Sequence, residues 1–429
     1  MDSKLDIGTS LQNLKMVFKI TSKWVFFALT IGSVTGSSSA LFLFLLDTAT
    51  QFREANPYIF FLLPFAGILI GYTYKTFGSN IAKGNNLLLE EIQSPKNIIP
   101  FRMAPLVLFG TIITHLFGGS AGREGTAVQM GGSLSHQLTK IFKLGETDHK
   151  LLIILGISGG FASVFGTPIA GAIFALEVIV IGRMRYEFLL PSILTAVIAN
   201  QVCHMYGTQH TNYPITSEFD FSWSIVCYVV LLGILSGLLS RVFTVFLDGF
   251  TQLFHYLVRS EILRPGIGGL VIVFLFVFGL ESRFLGLGIP TIREAFLVPL
   301  PGTDFFTKLY MTALTLGSGF KGGEVTPLFF IGATFGNFFA QILSLPIPTF
   351  AALGFVAIFA GATNTPLACT LMGIELFGGI LAIPLAIVTA TAYIFSGHTS
   401  IYASQIIGSP KLFALEKKGK RISEVNRVK

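Results

Sequence analysis

Charge is scarce in this chain: Asp, Glu, Lys and Arg make up 12% of its 429 residues, where a soluble globular chain carries about 25%. Cysteine is nearly absent. Cys203, Cys227 and Cys369 lie scattered in apolar stretches, which excludes a disulfide framework and a thiolate metal site and leaves small apolar side chains. The seven histidines form no H-E-x-x-H or similar cluster, which argues against a metalloenzyme. "GISGG" at Gly156–Gly160 fits a nucleophile elbow in letters but lies in an apolar stretch without the strand that motif needs. "GSGFKGG" lacks the Gly-Lys-Ser/Thr ending of a phosphate loop. No catalytic constellation remains, so the chain is read as a non-enzyme without a cofactor.

What the chain has in quantity is apolar surface. Hydrophobic residues make up 52% and the mean hydropathy is +0.72, which defines an integral membrane protein. Apolar stretches recur around Trp24–Leu46, Tyr58–Tyr74, Pro105–Phe117, Leu189–Tyr206, Trp223–Leu247, Ile267–Leu280 and Ile383–Phe395. Several are shorter than the roughly 20 residues a perpendicular span needs. Glycine and proline interrupt many, as expected of an all-α polytopic bundle with tilted, broken and re-entrant helices around a polar interior.

The formal charge of +7 is not a nucleic-acid footprint. Its excess sits at the ends, in Lys4, Lys15, Lys19 and Lys23 and in Lys411, Lys417, Lys418, Lys420, Arg421, Arg427 and Lys429. The positive-inside rule puts both termini in the cytoplasm. The polar stretch Tyr206–Phe219 is then an outer loop, and no cleaved signal peptide is expected at the start.

The two halves of the chain align with each other. Gly122, Glu124 and Thr126 match Gly322, Glu324 and Thr326, each 200 residues on. A second block pairs Gly156, Phe161, Ala162, Thr167, Pro168, Ala170 and Glu177 with Gly354, Phe359, Ala360, Thr365, Pro366, Ala368 and Glu375, each 198 residues on. The expected organisation is a cytoplasmic segment 1–22, a transport domain 23–405 with repeat halves 23–205 and 221–405, and a short basic tail 406–429. Spacing alone leaves open whether the repeats are parallel or inverted. A transporter built of repeats binds its substrate near the midplane where they meet.

"GGSAGREGTAVQMGG", Gly118–Gly132, puts Arg123 and Glu124 side by side among six glycines. A glycine-rich run opening into an apolar helix exposes backbone N–H groups with the positive end of the helix dipole behind them, which is an anion site. "GSGFKGGEVTPLFFIG", Gly317–Gly332, repeats the design with Lys321 and Glu324. Carboxylates suit an anion site if each competes with the anion and leaves on protonation, so Glu124 and Glu324 are the candidate gating and proton-coupling residues. Glu177 and Glu375 are read instead as packing or buried hydrogen-bonding groups.

"GREGT", "GGEVTP" and the paired "GTPIAGAIFALE" and "NTPLACTLMGIE" resemble the CLC family of anion channels and proton-coupled anion antiporters, over roughly residues 20–410. The resemblance implies inverted repeats, an anion pathway between them, a homodimer in the bilayer and both termini inside. Most chloride-handling members carry Gly-Ser-Gly-Ile-Pro in the first anion loop; "KGNNL" puts Asn85 at that serine. Thr126 replaces a proline, and "GGEVTP" places a carboxylate, Glu324, and a hydroxyl, Thr326, where chloride members are less polar. These departures resemble the fluoride-exporting branch. Tyr402 stands at the family's inner tyrosine, and Val178 replaces the chloride antiporters' second glutamate. The implied anion-binding set is Asn85, Thr126, Val325, Thr326, Tyr402, Gly122 and Gly323, with Glu124 and Glu324 carrying protons. The expected work is fluoride/proton antiport across the cytoplasmic membrane; the alternative is a chloride or general anion channel or antiporter of the same fold.

Overall fold

The computed structural model describes the backbone of residues 7–211, 213, 215 and 222–425, with side chains from residue 14 on, Phe413 excepted. Lys4, Arg427 and Lys429 and positions 216–219 of the expected outer loop lie outside the described residues.

The first half consists of α1 (Ile7–Ala55), α2 (Leu63–Phe77), α3 (Asn85–Gln93), α4 (Met103–Leu116), α5 (Glu124–His136), α6 (Leu138–Phe142), α7 (Glu146–Phe165), α8 (Pro168–Glu177) and α9 (Leu189–Met205). The second consists of α10 (Trp223–Leu257), α11 (Leu263–Val277), α12 (Ile289–Glu294), α13 (Asp304–Gly317), α14 (Val325–Leu343), α15 (Ile347–Thr363), α16 (Pro366–Phe377) and α17 (Ala382–Phe395). Ser222 starts α10, its side chain accepting from the amide of Ile225 at 3.4 Å.

Lengths differ widely. At 1.5 Å per residue the 35-residue α10 runs about 52 Å and must tilt through a bilayer core of about 30 Å, while the 13-residue α5 reaches about 20 Å and stops inside. Six helices among the described residues are long and apolar enough to span, and six shorter apolar ones accompany them. The apolar stretches read from sequence became α1, α2, α4, α9, α10, α11 and α17. The glycine-rich α5, α7 and α14 to α16 carry the interior instead.

Two breaks show how sequence cuts the helices. α7 ends at Gly166 (φ +78°) and α15 at Asn364 (φ +61°), both left-handed, a conformation glycine takes freely and asparagine tolerates. Thr167 and Thr365 follow as N-caps, and Pro168 and Pro366 open α8 and α16, where a missing N–H costs nothing. "GTP" and "NTP" therefore encode the same turn in each repeat.

The repeats are inverted. α8 and α16 lie antiparallel, and each ends in a carboxylate that caps the other. Glu177 accepts from the amides of Leu367 (3.1 Å) and Ala368 (2.8 Å); Glu375 accepts from those of Ile169 (2.9 Å) and Ala170 (2.8 Å). Each carboxylate satisfies two otherwise orphan donors and faces a positive helix end. The reading of Glu177 as a buried hydrogen-bonding group agrees with this geometry, and Glu375 makes the equivalent bonds while only half-buried.

Close glycine contacts seal each repeat. A Cβ on Gly131 would stand 2.2 Å from the carbonyl oxygen of Gly156, and one on Gly332 would stand 2.3 Å from that of Gly354. α5 therefore touches α7, and α14 touches α15, backbone to backbone. Between the repeats the equivalent rings of Phe161 and Phe359 stack at 6.3 Å, with Phe174 4.5 Å from Phe161.

Both ends of the described chain are continuous with the bundle. α1 runs unbroken from Ile7 to Ala55, so the boundary at 22/23 falls inside a helix, because no glycine pair or proline interrupts that stretch. The tail is docked rather than free: Ile406–Ile407 pairs in parallel with Val180–Ile181, Ile422 is buried, and Lys411 is buried among Asn364 (2.5 Å), Ser396 (2.9 Å) and the Tyr393 ring (4.0 Å).

Candidate functional site

The glycine motifs of the two repeats meet directly. Gly122 N–H donates to the Gly323 carbonyl at 2.5 Å, and Gly323 N–H donates back to Gly122 at 2.8 Å, as an antiparallel bridge. Two chain segments running in opposite directions thus deliver the N-termini of α5 and α14 to one place. A side chain would not fit: a Cβ on Gly122 would come within 2.9 Å of the Gly323 oxygen.

Glu124 opens α5 and is 1% exposed. Its carboxylate reaches across the join onto α14. Thr326 donates its amide at 3.0 Å and its hydroxyl at 2.7 and 2.6 Å to the two oxygens. Arg123 adds its amide at 3.2 Å and its Nε at 3.4 Å. A negative group therefore rests on the positive end of α14, held by charge-assisted bonds. Buried Val325, the first residue of α14, lies directly before Thr326.

Glu324 is handled differently, although it is the repeat partner of Glu124. It is the N-cap of α14, and its Oε2 is buried without a hydrogen-bond partner. Asn85 begins α3 after Gly84, whose φ of +56° makes the entering turn. A Cβ on Gly125 would lie 3.1 Å from Asn85 Nδ2 and 3.8 Å from Glu324 Oε2, so Gly125 keeps a notch open between amide and carboxyl. Asn85 Oδ1 is also buried and unpartnered. Tyr402 is buried, and its segment is tied to α3 by Ser404, which donates to Asn86 at 2.9 Å and to Glu90 at 3.1 Å. Asn85, Glu324 and Tyr402 line one cavity of about 260 Å³.

Three of the expected anion-binding residues have their polar groups engaged elsewhere. The amides of Gly122 and Gly323 are spent on each other, so in this state neither donates to an anion; the join of the repeats consumes them. The Thr126 hydroxyl bonds Thr111 at 2.7 Å, toward α4, because α5 presents that residue to its neighbour rather than to the join. Sequence gave no sign of Thr111, whose hydroxyl is matched only through tertiary contact. Val178 stands beside Asn85, Tyr402 and Phe174 around a void of about 10 Å³, at the lower limit for one water.

Inverted helical repeats that bring two glycine-flanked helix N-termini and two carboxylates together inside a membrane bundle define an ion-translocating protein. The model of the voltage gated chloride channel family matches residues 66–397, and the chain belongs to that family of channels and transporters. It is 47% identical to a "Chloride/fluoride channel protein" of Pseudomonas syringae pv. tomato, over 91% of this chain and 88% of that one. In structure it is similar to a CLC-type fluoride/proton antiporter, with 36% identity, a TM-score of 0.87 and coverage of 90% and 98%. A slow cyanobacterial chloride/proton antiporter shares the fold at 21% identity, TM-score 0.77, over 94% and 96%.

Proposed function

We propose that this protein is a fluoride/proton antiporter that exports fluoride across the cytoplasmic membrane, with both termini inside and as a homodimer. The observation that carries the reading is the Glu124 carboxylate resting on the amide and hydroxyl of Thr326. A carboxylate bound at the N-terminus of α14 occupies the kind of place a small anion takes, so the two compete. Protonation neutralises Glu124, weakens its hold, and lets fluoride replace it. A neutral glutamic acid can then donate a hydrogen bond to the ion it escorts. One side-chain movement couples one anion to a proton.

Glu324 is the second proton group in this scheme. Glu324 Oε2, buried and unpartnered, and the Asn85 amide nitrogen flank the notch over Gly125, and protonating Glu324 turns that acceptor into a donor. Fluoride holds its hydration shell tightly, so short donors must replace that shell; Asn85, Thr326 and Tyr402 supply amide and hydroxyl groups. With Val178 carrying no proton, this scheme has protons and fluoride share the route past Glu324 and Glu124.

The fluoride/proton antiporter that this chain is similar to at 36% identity supports the reading. The relative named a chloride/fluoride channel supports a second one, passive anion conduction through the same fold. Purified protein in liposomes, with voltage set by a potassium ionophore and lumenal pH as readout, separates them. Proton uptake driven by a fluoride gradient and absent with chloride is the expected result, and it is lost in Glu124→Gln. Fluoride flux without proton movement favours the channel, and coupled flux in Glu124→Gln removes Glu124 as the gate.

A further inference from the structure

Lys321 immediately precedes the Gly-Gly-Glu of the second motif, and the proposed cycle does not use it. Its ammonium stands 4.4 Å from the centre of the Tyr74 ring. Among the described residues it makes no hydrogen bond and no ion pair. Its stem lies in a slot cut by Gly110 of α4, where a Cβ would meet the Lys321 Cβ at 2.9 Å. The fold thus makes room for a half-buried lysine whose ammonium has no carboxylate partner among the described residues.

Two cavities share this residue. One is the 260 Å³ space that ends at Asn85, Glu324 and Tyr402. The other, about 410 Å³, is lined by Lys75, His255 and Arg264, with Glu261 as its carboxylate. Tyr74, Ala82, Thr251, Leu316 and Lys321 line both, so the two cavities adjoin at Lys321. Exposed Lys75, His255 and Lys83 surround the mouth, and Lys83 is already paired with Glu90 at 2.7 Å. The remaining acidic group along the way is Asp248. Lys321 is the cation at the junction, between the open cavity and the notch at Glu324.

We propose that Lys321 is a collecting site for fluoride: its ammonium draws the anion from the cytoplasmic cavity and delivers it to the notch formed by Asn85, Tyr402 and Glu324. A lysine ammonium is a compact point charge with three rotatable donors, and it can bind an ion and release it without a fixed fork geometry. A cation at the neck of a low-dielectric cleft focuses the field and raises the local anion concentration. The aromatic face of Tyr74 holds the ammonium without cancelling its charge.

The site rests on the reading of this chain as an anion transporter and not on coupling or selectivity. Its test is initial fluoride flux in proteoliposomes against fluoride concentration on the face that carries the cavity, at low ionic strength. Lys321→Met should raise the half-saturating fluoride concentration about tenfold, within the range expected of electrostatic focusing, while the saturated rate changes less than twofold. Lys321→Arg should stay close to the parent. Lys321→Cys in a Cys227→Ser background, labelled after folding, gives the check independent of folding, since Cys203 and Cys369 are buried. A cationic methanethiosulfonate reagent should restore the parent half-saturation, and an anionic one should worsen it. Equal effects of the two reagents, failure of both to react, or an unchanged half-saturation in Lys321→Met overturns the proposal. A parent protein that carries no fluoride would instead overturn the function proposed above.

Discussion

Glu124 and Thr326 touch across the join of two inverted repeats, 202 residues apart, the carboxylate taking both the amide and the hydroxyl of the threonine. The mirrored contact does not exist: Glu324 leaves an oxygen unpartnered, and Thr126 turns to Thr111. Repeats matched in sequence are therefore unequal at the site: one carboxylate rests on the N-terminus of α14, and the other keeps an unpartnered oxygen beside Gly125.

In the proposed cycle protonation of Glu124 frees the N-terminus of α14, and this sets the sign of the pH dependence. Acid removes the negative competitor, so fluoride flux at fixed gradient should be higher in acid than in base. Glu124→Gln, which is neutral throughout, should show a flat profile. Stopped-flow fluoride efflux at a series of symmetric pH values measures both, and a parent profile as flat as that of the variant would refute competition.

Thr326→Val removes the hydroxyl but keeps the shape and the amide. Hydrogen bonds to charged groups contribute about 1.5–3 kcal/mol, so fluoride turnover should fall at least about tenfold. Thr326→Ser should retain most of it. The proton-to-fluoride ratio is expected to survive in both, since Glu124 is intact, and turnover and ratio are read in the same liposomes.

Asn85→Ser converts the inner loop toward the serine of chloride-handling relatives. Loss of an amide facing the notch at Gly125 should lower the preference for fluoride over chloride by about tenfold, roughly the discrimination of one good polar contact. Flux ratios under matched gradients test this. An unchanged ratio would remove Asn85 from the selectivity set.

Glu177 and Glu375 should matter for stability and not for coupling. Alanine at either strips two amide donors of their carboxylate at a helix start, at a cost of about 1–2 kcal/mol. A lowered midpoint of thermal unfolding in detergent, with the proton-to-fluoride ratio unchanged, is the expected pair of results. Loss of coupling in Glu177→Ala would give that residue a proton role.

Gly131→Ala should damage the packing of α5 on α7, because the added carbon meets the Gly156 oxygen at 2.2 Å. Overpacking costs of about 1–3 kcal/mol are expected. Gly332→Ala tests the equivalent contact at Gly354 in the other repeat. Size-exclusion profiles and unfolding midpoints report both, and a parent-like midpoint in either would show that the helices move apart freely.

Much of the architecture was already written in the sequence. Scarce charge and recurring apolar stretches determined a membrane bundle, because backbone in lipid must satisfy itself within helices. Matched glycines, prolines and glutamates determined two repeats, and "GTP" and "NTP" determined where two helices break, since a left-handed residue followed by a proline stops one helix and starts the next. The CLC resemblance pointed to the residues around Glu124 and Glu324. Tertiary structure alone decided their inequality. Which donors remain for an anion depends on what each amide and hydroxyl already bonds, and those bonds are tertiary: Gly122 spends its amide on Gly323 and Thr326 keeps both groups for Glu124, across the two repeats, while Thr126 spends its hydroxyl on Thr111 of the neighbouring helix. A local pattern specifies a donor, but only the folded chain determines what that donor faces.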